Sequence, residues 1–377
     1  MAIMPRILHA ADLHLSEAEK DYGLSVWAEL VETARREEAA FLVFCGDLFN
    51  TFSDAEALRA DFRRILGSPP FELIYLPGNH EDLQRGPKEM GRLDFGAVTL
   101  AGDKPWTLLG RDLSGARDRE GSAVEFLAIP HQEDYAGYGN WKVPPKGAAF
   151  RVVMAHGVVA GMAYRGPDEE SGGTAIDPDL FQRFQADYAA LGHIHGRRTQ
   201  RLGTATLAYP GSSRVWRRGE SGPRGAYLVE AVAGGSTAAG VAREPVFVPL
   251  AAAGEYRHYV LPLSLEGEIP DLGPLASEWR APDWIELEFT GLVEDESAVV
   301  RLEAAIRARY QGKVRRLEVM RDGVSALPGI SSHPIAQRFL EKWLERMPDP
   351  GHAEYPVWLR ARELALGALK TSLEKRA

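Results

Sequence analysis

Six short apolar runs in the amino-terminal half of the chain, Arg6–Ala11, Phe41–Cys45, Leu73–Leu76, Val124–Ile129, Arg151–Ala155 and Tyr188–Leu191, each read as a buried strand. Five of them run straight into residues that bind hard or borderline metal ions. In order these are Asp12-Leu-His14, Gly46-Asp47-Leu-Phe-Asn50, Gly78-Asn79-His80-Glu81, His156-Gly157 and Gly192-His193-Ile-His195-Gly196. Helical spacing over Leu24–Arg36 and Ala55–Leu66 separates some of the runs, the second opened by Ser53-Asp54 and closed by Gly67 before Pro69-Pro70. Strands alternating with helices predict a layered α/β domain. Open α/β sheets bind ligands beyond the carboxyl ends of their strands, so the five loops are expected to converge.

The spacings within the loops have chemical consequences. Side chains two residues apart on extended backbone point the same way, so Asp12 and His14 can address one ion, and His193 and His195 can each address one ion of a close pair. A carboxylate has two oxygens and can bridge, the role expected of Asp47. This allocates Asp12, His14, Asp47 and His195 to one ion and Asp47, Asn79, His156 and His193 to the other. The adjoining Gly46, Gly78, Gly157, Gly192 and Gly196 are expected to make the turns that bring the ligands inward. Imidazole, carboxylate and amide oxygen without thiolate suit manganese, iron or zinc. Two such ions clamp a phosphate, activate water and stabilise the leaving oxygen, which is machinery for phosphoester hydrolysis. His80 follows the ligand Asn79 when the ligand count is already filled, so it is expected to be the catalytic acid. A lone His or Asp at a strand end is more often a cap or a satisfied surface group, but five such motifs in one chain outweigh that reading.

The chain has 377 residues, more than one hydrophobic core usually serves. Residues 1–250 are expected to form the metal-bearing domain. Residues 251–328 carry alternating runs (Tyr256–Leu263, Trp284–Thr290), a helix over Ser297–Tyr310 and a run over Val314–Met320, which predict a small α+β unit. Residues 329–377 hold two amphipathic helices, Ile335–Arg346 and Pro356–Glu374, suited to docking on their own domain or on a partner. The Gly- and Ala-rich stretch Ala231–Pro249 reads as a hairpin tip or as a linker. No apolar run approaches the ~18 residues that span a bilayer, and the start, Met1–His9, lacks a charged region followed by a long apolar one, which predicts a cytoplasmic protein without membrane contact. The single cysteine, Cys45, reads as a buried, inert thiol.

In this order, Asp-x-His, Gly-Asp-Leu-Phe, Gly-Asn-His-Glu, His-Gly and Gly-His-x-His resemble the calcineurin-like metallophosphoesterase superfamily, over roughly residues 5–230. Asp12-Leu-His14-Leu, Gly46-Asp47-Leu-Phe49 and the small unit that follows look most like the SbcD-type DNA repair exonucleases. The resemblance implies a four-layer α/β/β/α nuclease domain, a capping domain that contacts DNA, a homodimer and an SbcC-type coiled-coil ATPase partner. It also implies a pair of Mn2+ ions on the seven ligands named above, and His80 as the catalytic histidine. One departure is Ser16, where the family commonly has Gly after Asp-x-His-Leu.

A formal net charge of −9 argues against a general attraction to nucleic acid, so DNA contact is expected from local basic patches. Arg197, Arg198 and Arg201 follow the last motif, and Arg214-Val-Trp216-Arg217-Arg218 comes soon after. These residues are read as guanidinium contacts to phosphates, with Trp216 stacking on a base. Arg301, Arg307, Arg309, Lys313, Arg315 and Arg316 of the small unit are candidates for DNA backbone contact or a solvated helix face. Two rival readings share the fold: a phosphoesterase for a small phosphomonoester or cyclic nucleotide, and a non-catalytic scaffold that binds DNA or an ATPase.

Overall fold

A computed structural model describes residues 5–82, 90–100, 106–111, 124–131, 140, 142–143, 145–146, 150–162, 175–232, 241–242, 244–326, 329, 333–349 and 352–374. The strands are β1 (Arg6–Ala10), β2 (Phe41–Cys45), β3 (Glu72–Leu76), β4 (Val98–Leu100), β5 (Trp106–Arg111), β6 (Val124–Ile129), β7 (Phe150–His156) and β8 (Tyr188–Gly192). They continue with β9 (Arg198–Leu202), β10 (Ala205–Tyr209), β11 (Gly225–Val232), β12 (Val241–Ala242), β13 (Val246–Pro249), β14 (Tyr256–Pro262), β15 (Trp284–Val293) and β16 (Arg316–Ala326). The helices are α1 (Lys20–Arg36), α2 (Phe52–Leu66), α3 (Asn79–Asp82), α4 (Asp179–Arg183), α5 (Gly273–Ala276), α6 (Glu296–Tyr310), α7 (Pro334–Leu344) and α8 (Tyr355–Glu374). The chain divides into two compact units, Met1–Glu255 and Tyr256–Ala377.

The apolar runs become strands because each has both faces covered. In β2, Leu42 and Phe44 enter a core shared with α1 and α2, while Phe41, Val43 and Cys45 enter a second core between two sheets. A strand buried on both sides needs a continuous apolar run rather than an alternating one. Among the described residues the first sheet has the order β12-β11-β1-β2-β3-β4, with β13 also on β11, and the second has the order β5-β6-β7-β8-β10-β9. β1 to β4 are parallel, as are β6, β7, β8 and β10. The outer face of the second sheet packs on Leu180, Phe181 and Phe184 in and after α4. Helix, sheet, sheet, helix is the four-layer α/β arrangement that the family resemblance implies.

Local chemistry sets the ends of the elements. Helix α2 starts at Phe52, earlier than expected, because Thr51 is the cap: its hydroxyl accepts from Asp54 N at 3.1 Å. The Asp54 carboxylate instead accepts from Glu17 N and Thr51 Oγ1, pinning the turn before α1 to α2. Inside the first unit, Trp27 is fully buried, stacks on Phe62 with ring centroids 4.4 Å apart, and donates from Nε1 to the Phe62 carbonyl. The stretch Ala231–Pro249 is a hairpin, since its flanks pair antiparallel as Ala231↔Ala242 and Val232↔Val241; its expected tip, 233–240, lies outside the described residues.

In the second unit, β14, β15 and β16 form a parallel sheet whose one face, with Ile285, Leu287, Phe289 and Leu317, packs on Val299, Ile306 and Tyr310 of α6. Ala336 of α7 and Leu366 of α8 share a smaller core with Leu265 and Leu292, and Arg362 donates to the Leu263 carbonyl. The two last helices thus dock on this unit. Its basic residues are engaged locally: Arg307 pairs with Glu303, Arg316 with Glu318 and Arg301 with Asp295, while Arg309 and Lys313 lie over the Tyr310 ring and Arg315 donates to the Pro282 carbonyl.

The two sheets of the first unit approach each other tightly at the carboxyl ends of β2 and β8. A Cβ at Gly192 would lie 1.7 Å from the Cys45 carbonyl oxygen and 2.8 Å from His156 Nδ1, so only glycine lets these strands approach. Gly192→Ala is therefore expected to cost at least ~1–3 kcal/mol through overpacking. Gly367→Ala, in α8 with nothing within 4 Å of the new methyl, should instead stabilise by ~0.5–1 kcal/mol. Equilibrium urea unfolding of both variants checks this, and equal stabilities would refute it.

Candidate metal centre

The turns beyond the strands are made by the ligands themselves as much as by glycine. Among the described residues, six non-glycine positions have positive φ, and four are predicted ligands: Asp12 (φ 54°), His14 (46°), Asp47 (51°) and His193 (94°). Side chains other than Gly, Asn and Asp pay for this region, and such strain concentrates where function fixes geometry. Backbone bonds between the loops hold it: Asp12 N donates to the Gly46 carbonyl, His14 N to that of Asp47, Ser213 N to that of Ala11 and Gly157 N to that of Gly192. Ser16 is extended (φ −139°), so the place where the family commonly has glycine demands none here.

All seven predicted ligands come together, six of them buried and Asn79 half-buried. His14 Nε2 and His195 Nε2 face each other at 3.3 Å, and one ligand atom from each of Asp12, His14 and His195 lies within 4.8 Å of the others. Asp12, Asp47 and His156 form another such group. Asn79 Oδ1 lies 2.9 Å from His156 Nε2 and 3.2 Å from His193 Nδ1, and His156 Nε2 lies 3.3 Å from Asp47 Oδ2. Asp47 Oδ2 also lies 3.9 Å from His14 Nε2, so this carboxylate is near residues of both sets.

The ligands are aimed from behind. His156 Nδ1 donates to the Cys45 carbonyl at 2.9 Å, which turns Nε2 towards Asp47 and Asn79. His195 Nδ1 donates to the buried Glu220 carboxylate. Both oxygens of Asp12 accept from His193 N at 3.0 Å, and Asp47 Oδ1 accepts from His80 N at 3.0 Å. Glu81, quoted in its motif without a role, accepts from Phe49 N at 2.7 Å and from Gly78 N at 2.8 Å, tying the loops after β2 and β3 together.

The electrostatics follow from burying two carboxylates side by side. Burial pushes Asp12 up to about 7, with Asp47 adding to it and His156 and His195 pulling against. Burial acts on Asp47 too, but His156, His14 and His80 outweigh it and hold its carboxyl well below the usual range. Burial drives His14 well below the ordinary imidazole value, whereas at His156 the Asp47 charge overcomes burial and lifts it to about 10. His156 thus holds a proton against the Asp47 charge while His14 stays neutral, and a divalent cation would take the place of such a proton. The orphaned His14 Nδ1, the facing Nε2 atoms and the all-N/O donor set fit a pair of such ions.

His80 is half-buried beside this cluster. Its Nδ1 donates to the Asn50 carbonyl at 3.0 Å, its ring stands edge-on to His14 at 4.7 Å, and one of its nitrogens lies within 4.8 Å of ligand atoms of His14 and Asp47. Trp216 lies flat on His14, centroids 3.6 Å apart and planes 4° from parallel, and Arg217 sits over the indole at 4.2 Å. Trp216 thus roofs a ligand rather than offering an open face to a base. Arg214 departs from its expected role: it is fully buried and donates to the Leu13 and His14 carbonyls and to Glu19, because the two buried carbonyls of the ligand loop need donors. Arg197 is exposed and lies over Phe247, while Arg198 donates to the Met162 carbonyl. Sequence reading missed Glu220, whose only signal was a carboxylate four residues beyond Trp216.

Residues 5–197 match the model of the calcineurin-like phosphoesterases. An uncharacterised metallophosphoesterase, YhaO of Bacillus subtilis (strain 168), is 27% identical over 250 residues, covering 60% of this chain and 57% of its own length, so the chain spans little more than half of that relative. Among solved structures, GAP50, the anchor in the inner membrane complex of Plasmodium, has a TM-score of 0.41 at 12% identity, covering 66% of this chain and 91% of that one. A dimetal phosphatase from Danio rerio has a TM-score of 0.41 at 11% identity, covering 66% and 98%. Among the described residues no helix is long and apolar enough to cross a membrane. With more than half of its length inside the family model and a buried cluster of N/O ligands at the strand ends, the chain belongs to the calcineurin-like phosphoesterase family.

Proposed function

We propose that this phosphoesterase cleaves phosphodiester bonds, with DNA as its substrate and two Mn2+ ions as its cofactors. The observation that supports a phosphodiesterase is the meeting of all seven ligands with His80 at their edge, within 4.8 Å of ligand atoms on His14 and Asp47. Cations held there would activate a water and polarise the phosphate. The chain supplies the rest. His80, with Nδ1–H committed to the Asn50 carbonyl, carries its transferable proton on Nε2 and gives it to the leaving oxygen. Asn79 and Asp47 fix the turn that holds His80, through the Asp47 bond to its backbone N–H. Arg197 and Arg217, on the loops that carry His195 and Trp216, supply positive charge near the centre for the flanking phosphates of a strand.

A DNA substrate also fits the sequence resemblance to SbcD-type exonucleases. In the same reading, the exposed apolar side chains of α7 and α8, Ile335, Leu344, Val357 and Leu364, would receive an SbcC-type ATPase partner. A second reading, a small phosphoester as substrate, is favoured by the net charge of −9 and by the withdrawal of Arg214 into the protein interior.

The test is hydrolysis of end-labelled single- and double-stranded DNA, and of bis(p-nitrophenyl) phosphate, with Mn2+, with chelator, and by Asp47→Ala. DNA degradation that chelator abolishes and Asp47→Ala loses by at least ~10³-fold is expected. Cleavage of the small diester with DNA untouched would favour the second reading. His80→Asn should lower turnover by roughly 10²–10⁴-fold while metal stoichiometry stays as in the wild type. Turnover kept in that variant would remove His80 as the acid.

A further inference from the structure

Glu220 lies outside every recognised motif, yet it is 1% exposed and its two oxygens are spent on different parts of the centre. Oε1 accepts from His195 Nδ1, and Oε2 accepts from the backbone N–H of Trp216 at 2.7 Å. The loop from Trp216 to Glu220 is thereby closed on its own last side chain, with Gly219 at φ 90° making the turn. The indole this loop carries is the one lying parallel to His14 at 3.6 Å. His14 and His195 are the two imidazoles whose Nε2 atoms face each other at 3.3 Å.

We propose that Glu220 is a positioning residue for one of the two metal ions, orienting His195 directly and His14 through the Trp216 roof. A neutral imidazole ligates through the nitrogen that carries no proton, so a carboxylate that accepts from Nδ1–H fixes the tautomer and rotation that leave Nε2 for the ion. Burial makes the bond count, because Glu220 has no water to turn to. A ring has a second freedom, tilt about its own axis, and a flat neighbour removes it. For His195 that restraint comes from the carboxylate bond and for His14 from the indole face, and both lead back to one side chain. The Arg224 guanidinium, which donates to the His195 carbonyl at 2.7 Å and to Ser212 Oγ, holds the backbone of the same ligand in place. Removal of the Glu220 carboxylate therefore loosens two ligands of one ion and leaves Asn79, His156 and His193 of the other untouched.

The inference rests on the metal-centre reading, and calorimetric titration of the metal-free full chain with Mn2+ separates the two. Wild type is expected to bind two ions. Glu220→Gln, which keeps the volume and one acceptor, should bind one ion as the wild type does and the other roughly 10–100-fold more weakly. Trp216→Ala should weaken the same ion, and Glu220→Ala should weaken it more than Glu220→Gln. Long-range imidazole ¹H–¹⁵N spectra of histidine-labelled, metal-free protein give a second readout: His195 protonated at Nδ1 in the wild type and a mixture of tautomers in Glu220→Gln. Two wild-type affinities together with an unchanged His195 tautomer in Glu220→Gln would overturn the role of Glu220. No Mn2+ bound by the wild type would overturn the metal-centre reading instead.

Discussion

Two carboxylates, Asp12 and Asp47, are buried in one site, and the first unit is arranged around the cost of doing so. An isolated carboxylate in a low-dielectric interior costs many kcal/mol, so buried charges are hydrogen-bonded, paired or bound to metal. The chain meets this from three directions. Backbone N–H groups of His193 and His80 donate to Asp12 and Asp47, four imidazoles surround the pair, and the donor set is shaped for cations. None of these is available from one strand. The N–H groups come from loops after β8 and β3, while the carboxylates come from loops after β1 and β2. The site therefore exists only when both sheets are in register with each other, which makes the inter-sheet core a precondition for the chemistry.

Strained backbone accompanies the close approach of the sheets. β2 and β8 meet at Cys45 and Gly192, and Asp12, His14, Asp47 and His193 follow within four residues of their strand ends. All four adopt positive φ, which Asp tolerates and which strains His14 and His193. The loops are laced to one another by backbone bonds, and Arg214 closes the lacing by reaching the Leu13 and His14 carbonyls from the far side. Strain at the ligands is thus balanced by contacts that do not touch a substrate. That balance also accounts for a guanidinium in a fully buried position.

The strands and the polar clusters at their ends were legible in the sequence because each is a local property, whereas the layer order came only from the family resemblance. A strand covered on both faces leaves an apolar run, and a ligand loop leaves a polar cluster at its end. The helix that opens at Phe52 was misplaced because Thr51, Ser53 and Asp54 are all cap residues by type, and only the partner of Asp54, the Glu17 amide, decides between them. Arg214, Trp216 and Glu220 were harder. Their roles depend on partners roughly 200 residues away for Arg214 and on a ring stack for Trp216, and neither leaves a periodicity. Arg-x-Trp-Arg reads equally as a phosphate-binding surface and as an internal clamp. The glycines were assigned the right loops and the wrong task at Gly78 and Gly192, whose need is for space rather than for positive φ.

The stack of His14, Trp216 and Arg217 bears on what the centre can accept. One indole face covers a ligand and the other lies under a guanidinium, so Trp216 contributes rigidity and a fixed positive charge rather than a free aromatic surface. A nucleobase would have to displace Arg217 to stack there, giving up a cation–π contact of ~0.5–2 kcal/mol. A phosphate, drawn to a guanidinium by charge, does not need the indole face. This edge of the site therefore favours a phosphate group over a flat ring. In a chain of net charge −9, attraction to an anion has to be concentrated at such points.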